Sequence, residues 1–284
     1  MIGFNNKKIG FIIDSSSNLT NGQIEDVEVV PLQVIVDSTT TFKDNVNFFQ
    51  KDLKGEFDAG CDVKTSQAAM PDMMMAAQKM CDKYDQVFVF PIHEKLSGNI
   101  NTWKLLKEEF PNLEIVMTYD IGFSFKWTID AIKQYLLNHE ANAEAIQQFI
   151  NTLVLPNRCG WLMVNDLSQL VKGGRVNGLK AAIAKLFGIK PIILFDGNGL
   201  ANFDKARNNE AYFNICDKHI KDKYIGKKIK RAVLFVPESS NLRDQFINDW
   251  IKHYGSIPYE IVAFPTIVLC HTGIESVAQI VELE

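Results

Sequence analysis

Four short polar groups stand out in this chain of 284 residues: Ser15-Ser16-Ser17, Thr65-Ser66-Gln67, Leu96-Ser97-Gly98 and His271-Thr272-Gly273. Hydroxyls and main-chain N–H groups are neutral donors, and a glycine beside them lets a ligand approach the backbone. The N–H groups that open a helix favour an anion. Acting together, such groups hold a small negative group without a formal positive charge. The Thr65 triplet runs at once into small residues, Pro71 and the methionines Met70, Met73, Met74 and Met75. Flexible thioethers suit core filling, and they also suit a cavity that accepts a deformable apolar guest. Each group has an ordinary structural use as well. Ser15–Ser17 and Thr65-Ser66 can cap helices, Ser97-Gly98 can be a strand-to-helix turn, and His271 can be a structural histidine.

The elements that must position these residues follow from hydrophobic periodicity. "KIGFIID", "QVFVFPI" and "LEIVMTYD" read as strands, and "VEVVPLQVIV" as a strand-like stretch interrupted by Pro31. "TWKLLKEEF" and "KWTIDAIKQYLLNH" carry helical spacing, with Trp127, Ile129, Ile132, Tyr135 and Leu136 near one face. Strand, helix, strand in succession predicts a mostly parallel sheet with crossover helices. Ligands of such sheets sit beyond the carboxyl ends of strands. Ser15–Ser17, Ser97-Gly98 and His271 are expected there, the last after a strand "TIVLC". Thr65-Ser66 is expected in a loop before a helix.

Beyond Asn157 the texture changes. "CGWLMVND" and "KRAVLFVP" read as strands. "LSQLVKGGR", "LKAAIAKLFG", "NNEAYFNICDKHIKDKY" and "LRDQFINDWIKHYG" read as helices, with a last strand before "HTGIESVAQIVEL". Asp196-Gly197 and Asn198-Gly199, set between extended runs, predict a hairpin. The fold class expected is α/β in two domains. Residues 1–155 form a mostly parallel sheet with flanking helices, and 156–284 an α+β domain with a hairpin.

Composition narrows the classes. Hydrophobic residues make up 46% and charged residues 23%, enough apolar material for a packed core. A net charge of −4 argues against nucleic acid as partner. Cys61, Cys81, Cys159, Cys216 and Cys270 are scattered, without CxxC or Cys/His metal spacing. They read as reduced thiols of a cytoplasmic protein, with no metal. No apolar run reaches the roughly 20 residues of a membrane-spanning helix.

The order of "DSSSNLT", "VVPLQVIV", "FKDNVNF", "KTSQAAMP", "HEKLSGN", "VNDLSQLVKGGRV", "GIKPIILFDGNGL" and "CHTG" resembles the DegV family of bacterial fatty-acid-binding proteins, from Ile9 to about Gly273. The resemblance implies a carrier that shelters one long-chain fatty acid in an apolar tunnel, with no other cofactor. It implies a carboxylate held by Thr65, Ser66, Ser97, the Gly98 N–H and His271. Arg175 of KGGR belongs by resemblance to an outer polar network. Lys205 and Arg207, after the hairpin, resemble a patch for docking the catalytic subunit of a fatty acid kinase. Three positions depart from the family's pattern: Asn99 after Gly98, Ile274-Glu275 after Gly273, and Asp44-Asn45 where Asp-Gly is usual.

Two other functions fit parts of the sequence. Ser97, His271 and Asp14 or Asp44 could form a hydrolase triad, although GxSxG is missing. Lys172, Gly173, Gly174 and Arg175 could hold a phosphoanion in a regulatory module. No P-loop GxxxxGK[ST] is present.

Overall fold

A computed structural model describes residues 7–164, 169, 188–238 and 240–284. It divides into two compact units, Met1–Pro156 with Pro265–Ile267, and Asn157–Phe264 with Val268–Glu284. The helical readings "LSQLVKGGR" and "LKAAIAKLFG" lie outside the described residues.

The first unit is built on β1 (Ile9–Asp14), β2 (Val27–Val30), β6 (Gln86–Phe90) and β7 (Leu113–Ile115). They form a four-stranded sheet in the order β2-β1-β6-β7, with every pair parallel. Every residue of β1 is buried, as expected of a strand covered on both faces. Alternation along it separates two packing surfaces. Ile9, Phe11 and Ile13 join Phe88, Phe90, Phe125, Ile129 and Ile132 in one core, with the Phe11 and Phe90 rings 5.5 Å apart. That core is supplied by α4 (Ser124–Tyr135) and α5 (Ala143–Phe149). Gly10 faces the other way, against the end of α2 (Met70–Lys83). A Cβ there would stand 2.6 Å from the Tyr84 ring and 2.9 Å from Met80 Cε, so the helix packs directly on the backbone. Between β6 and β7 lies α3 (Asn99–Glu109).

Pro31 does more than interrupt one strand. The chain leaves the parallel sheet there and enters a second one. β3 (Gln33–Val36) is its centre, flanked by β4 (Thr40–Lys43) and β5 (Val63–Ser66), and both pairings are antiparallel. Between β4 and β5 runs α1 (Gln50–Asp58). Thr65 and Ser66 therefore end a strand rather than lie in a loop, paired with Val34 and Gln33.

The second unit holds a six-stranded sheet in the order β10-β9-β8-β13-β11-β12. Its strands are β8 (Arg158–Met163), β9 (Lys190–Phe195), β10 (Leu200–Ala206), β11 (Ile229–Val236), β12 (Tyr259–Ala263) and β13 (Val277–Leu283). Only β11 and β12 pair in parallel; the other pairs are antiparallel. β9 and β10 form the expected hairpin. Gly197 and Gly199 take positive φ of 84° and 96°, which glycine adopts without strain. α6 (Asn209–Lys223) and α7 (Asn241–Tyr254) cover a core of Trp161, Tyr212, Phe213, Phe246 and Trp250.

The end of the chain differs from the sequence expectation. "TIVLC" is not a strand. Thr266–Thr272 forms the helix α8, directly after Pro265, whose fixed φ suits a helix start. Its β-branched residues gave a strand signal that local context overrode. The last strand follows the HTG motif and is a central strand of the sheet, not one placed before it.

Candidate functional site

The polar residues of the first unit converge where β1 ends. Asp14 is buried, and both its oxygens are engaged. Ser16 N–H and Oγ donate to Oδ1 at 3.1 and 2.5 Å, while Ile92 N–H and Asn99 Nδ2 donate to Oδ2 at 2.7 and 3.3 Å. Burial pushes the Asp14 pKa above the usual carboxylate value even against these donors. Ser15–Ser17 form a single 3-10 turn capped by Asp14, and Ser15 Oγ accepts Leu32 N–H at 3.0 Å. The serines form the turn rather than cap a helix, the cap being Asp14, and the Ser15 bond fastens β1 to the chain that enters β3.

Asp44, after β4, is fully buried. Its pKa is pushed up to about 7, first by burial and further by the charge of Asp14. The Ser15 hydroxyl and the Asn45 and Ile267 amides pull it the other way. Those groups approach without completing good bonds: neither carboxylate oxygen has a well-formed partner among the described residues. The next residue explains one departure noted in the sequence. Asn45 has φ 57°, a left-handed conformation that glycine favours and asparagine tolerates.

The Thr65 and Ser97 segments meet. Ala68 N–H donates to Asn99 Oδ1 at 3.3 Å, and Gln67 Nε2 donates to Thr102 Oγ1 at 2.9 Å. A Cβ added at Gly98 would lie 3.7 Å from Gln67 Oε1, an ordinary contact. Thr65 and Ser66 are both half-buried, on opposite faces of β5, with Thr65 sharing the face of buried Val63. Ser97 is half-buried, and its Oγ accepts Asn99 N–H at 3.2 Å. A hydroxyl has one hydrogen and two lone pairs, so that bond leaves the Ser97 hydrogen to be donated.

Gly98 caps the N-terminus of α3 with φ −75°, and the first turn of α3 holds no acidic residue. By contrast α2 begins with its own carboxylate, Asp72, which Lys43 Nζ meets at 2.7 Å. The positive end of the α3 dipole is thus not neutralised from within the helix. Neither conformation nor packing requires a glycine at 98.

The other expected site residues lie elsewhere. His271 is half-buried in the last turn of α8 and falls in the second unit, not at the end of a strand. Glu275, the added carboxylate after Gly273, is exposed. Lys205 lies within β10 rather than after the hairpin, and Arg207 one residue past that strand's end; both are exposed. Arg175, with Lys172, Gly173 and Gly174, lies outside the described residues. Met73 is fully buried, whereas Met70 and Met75 are exposed, so the methionines of α2 do not share one role.

Asn99 is the residue that sequence reasoning missed, having marked it only as a departure. Its signal was its place at a helix start beside Ser97-Gly98. Asp14, considered for a triad, has its oxygens occupied by Ser16, Ile92 and Asn99, which does not fit the orientation of a histidine. Among the described residues no group of three or more His, Cys, Asp or Glu is placed to hold a metal ion. The five cysteines are free thiols. No described helix is long and apolar enough to cross a membrane.

A two-unit α/β chain with neutral donors at strand and helix ends defines the class. The family model described as "Uncharacterised protein, DegV family" matches residues 8–284, and the chain belongs to the DegV family. The DegV domain-containing protein MG326 of Mycoplasma genitalium is 30% identical over 288 residues, covering 95% of this chain and 96% of that protein. A Thermus thermophilus structure, described as fatty acid binding of a DegV family protein, superposes with a TM-score of 0.81 at 20% identity. It covers 97% of this chain and 99% of its own. A stearic acid-binding protein from Eubacterium ventriosum gives 0.79 at 20% identity, over 96% and 98% of the two chains. At these identities the structural likeness establishes the fold.

Proposed function

We propose that this protein binds one long-chain fatty acid, its carboxylate held by Thr65, Ser66, Ser97 and the Gly98 N–H, and its tail enclosed by apolar side chains. His271 is included as a further donor from its HTG motif. The fatty acids named for the Thermus and Eubacterium structures support the choice of ligand. The single observation that carries the reading is the Ser97-Gly98 turn. There a hydroxyl with its hydrogen left to donate adjoins a glycine that neither φ nor packing demands.

The energetics divide the work between tail and head. Burying a methylene contributes about 0.8 kcal/mol, so roughly fifteen contribute on the order of 12 kcal/mol before ordering costs. The tail therefore supplies affinity. The head supplies orientation, because a buried carboxylate is costly without several donors. Hydroxyls meet that need while leaving the carboxylate reactive. In this reading the protein is a non-catalytic carrier that presents the acid to a separate fatty acid kinase, with exposed Lys205 and Arg207 as its contact.

Gly98→Ala tests the reading. Its backbone already suits alanine, so stability should hold or rise by about 0.4–1 kcal/mol. Delipidated wild type incubated with mixed fatty acids should show one acid per chain by native mass spectrometry, and the variant markedly less. An empty wild type, or a variant loaded as fully as wild type, contradicts the reading.

A further inference from the structure

Asn99 touches three segments at once, two through its side chain and one through its backbone N–H. It is fully buried. Its Oδ1 accepts the N–H of Ala68, just beyond the Thr65-Ser66-Gln67 triplet, at 3.3 Å. Its Nδ2 donates to Asp14 Oδ2, at the end of β1, at 3.3 Å. Its own N–H donates to Ser97 Oγ at 3.2 Å. A carboxamide carries an acceptor and a donor on one planar group, which this arrangement requires. An aspartate would set like charge against Asp14, and an apolar residue would strand the Ala68 N–H and leave Asp14 Oδ2 with the Ile92 N–H alone.

We infer that Asn99 is the positioning residue of the head-group site, its side chain fixing the Thr65–Gln67 segment beside the Ser97 hydroxyl, with Asp14 as the anchor. This rests on the fatty acid reading above. Asn99 acts through other groups. The Ser97 oxygen accepts the Asn99 backbone N–H, a bond that any residue at 99 would keep, so the hydroxyl turns its hydrogen toward another acceptor. The Ala68 bond sets where the Thr65 and Ser66 hydroxyls stand relative to that hydrogen. Asp14 is itself held by Ser16 and Ile92, which makes it a fixed point rather than a mobile partner. Positioning of this kind affects recognition of the acid head and leaves the tail's contribution alone.

The test compares a ligand with and without the carboxylate. Hexadecanoic acid and hexadecan-1-ol are titrated calorimetrically into delipidated wild type, Asn99→Ala, Asn99→Asp and Asn99→Thr. Wild type should prefer the acid by about tenfold or more, since loss of donors to a charged group costs about 1.5–3 kcal/mol. Asn99→Ala should lose most of that preference, with its affinity for the alcohol within about twofold of wild type. Asn99→Thr, whose hydroxyl can still meet Asp14 or Ala68, should recover part of the preference. If Asn99→Ala does not fold, Asn99→Asp serves in its place and should lose the preference at neutral pH. Equal weakening of acid and alcohol would reduce Asn99 to a structural residue, and an unchanged preference would also overturn the inference. A wild type that binds neither ligand would bring down the fatty acid reading itself, a different result from either.

Discussion

Both units bury polar groups, but they do so in different places: inside an aromatic core in the second unit, where Trp161 Nε1 is itself buried without a well-formed partner among the described residues, and at strand ends in the first. In the second unit the buried amide of Gln279 lies inside the core. It accepts from Trp250 Nε1 at 2.7 Å and donates to the Tyr254 hydroxyl at 3.4 Å. The buried Tyr212 hydroxyl donates to the Trp161 carbonyl at 2.6 Å. These bonds fix large aromatic side chains in one arrangement. In the first unit the buried polar groups gather at strand ends, around Asp14, Ser15–Ser17, Asp44 and Asn99. There Asp44 lacks a well-formed bond among the described residues, and Ser97 Oγ accepts the Asn99 N–H with its own hydrogen left to donate. The Gln279 bonds tie large side chains inside a core, whereas the first unit's buried polar groups stand at strand ends, where a parallel sheet places its ligands.

Three substitutions sharpen or break that contrast. The largest effect is expected from Trp250→Ala in the second unit's core. Removing a fully buried indole should cost about 3–5 kcal/mol, and Gln279 loses a partner as well. Urea denaturation measures it, and a loss below 1 kcal/mol would show that the second core repacks freely.

Asp44→Asn comes next, with an effect that depends on pH. The folded pKa is raised from 3.8 to about 7, so the folded state holds the proton more tightly than the unfolded state. Wild-type stability should therefore fall as pH rises from about 4 to about 7, and the penalty is complete above that. The asparagine variant has no such slope. It should match wild type near pH 4 and exceed it at pH 8 by on the order of a few kcal/mol. The same difference at both pH values would mean that Asp44 is paired in solution, and the contrast between the units would weaken. Gly98→Ala has the smallest expected effect on stability, a gain of about 0.4–1 kcal/mol. A clear loss would mean that the glycine serves the fold, not a ligand.

Legibility in the sequence followed the strength of local signals. β1 and β6 are unbroken apolar runs, and the hairpin at Asp196–Gly199 carries two glycines that its turn needs, so all three could be read. Thr266–Thr272 could not, because its β-branched residues point to a strand while Pro265 and the chain around it favour a helix. The small sheet of β3, β4 and β5 was hidden because Pro31 reads as a break, without showing that the chain changes sheets. In the site, hydroxyl and glycine patterns drew attention to Thr65, Ser97 and Gly98. The role of Asn99 was not visible, since it depends on Asp14 and Ala68, 85 and 31 residues away in sequence. Asp44-Asn45 looked like a departure until the backbone showed a position with positive φ, where asparagine is the natural alternative to glycine.

The most direct measurement is a crystal structure of the protein with a bound long-chain fatty acid. Carboxylate oxygens are expected about 2.7–3.2 Å from Ser97 Oγ and a hydroxyl of the Thr65-Ser66 pair, with one near the Gly98 N–H. An acyl chain whose carboxylate lies away from the start of α3, with Ser97 and Gly98 facing only water, would contradict that placement.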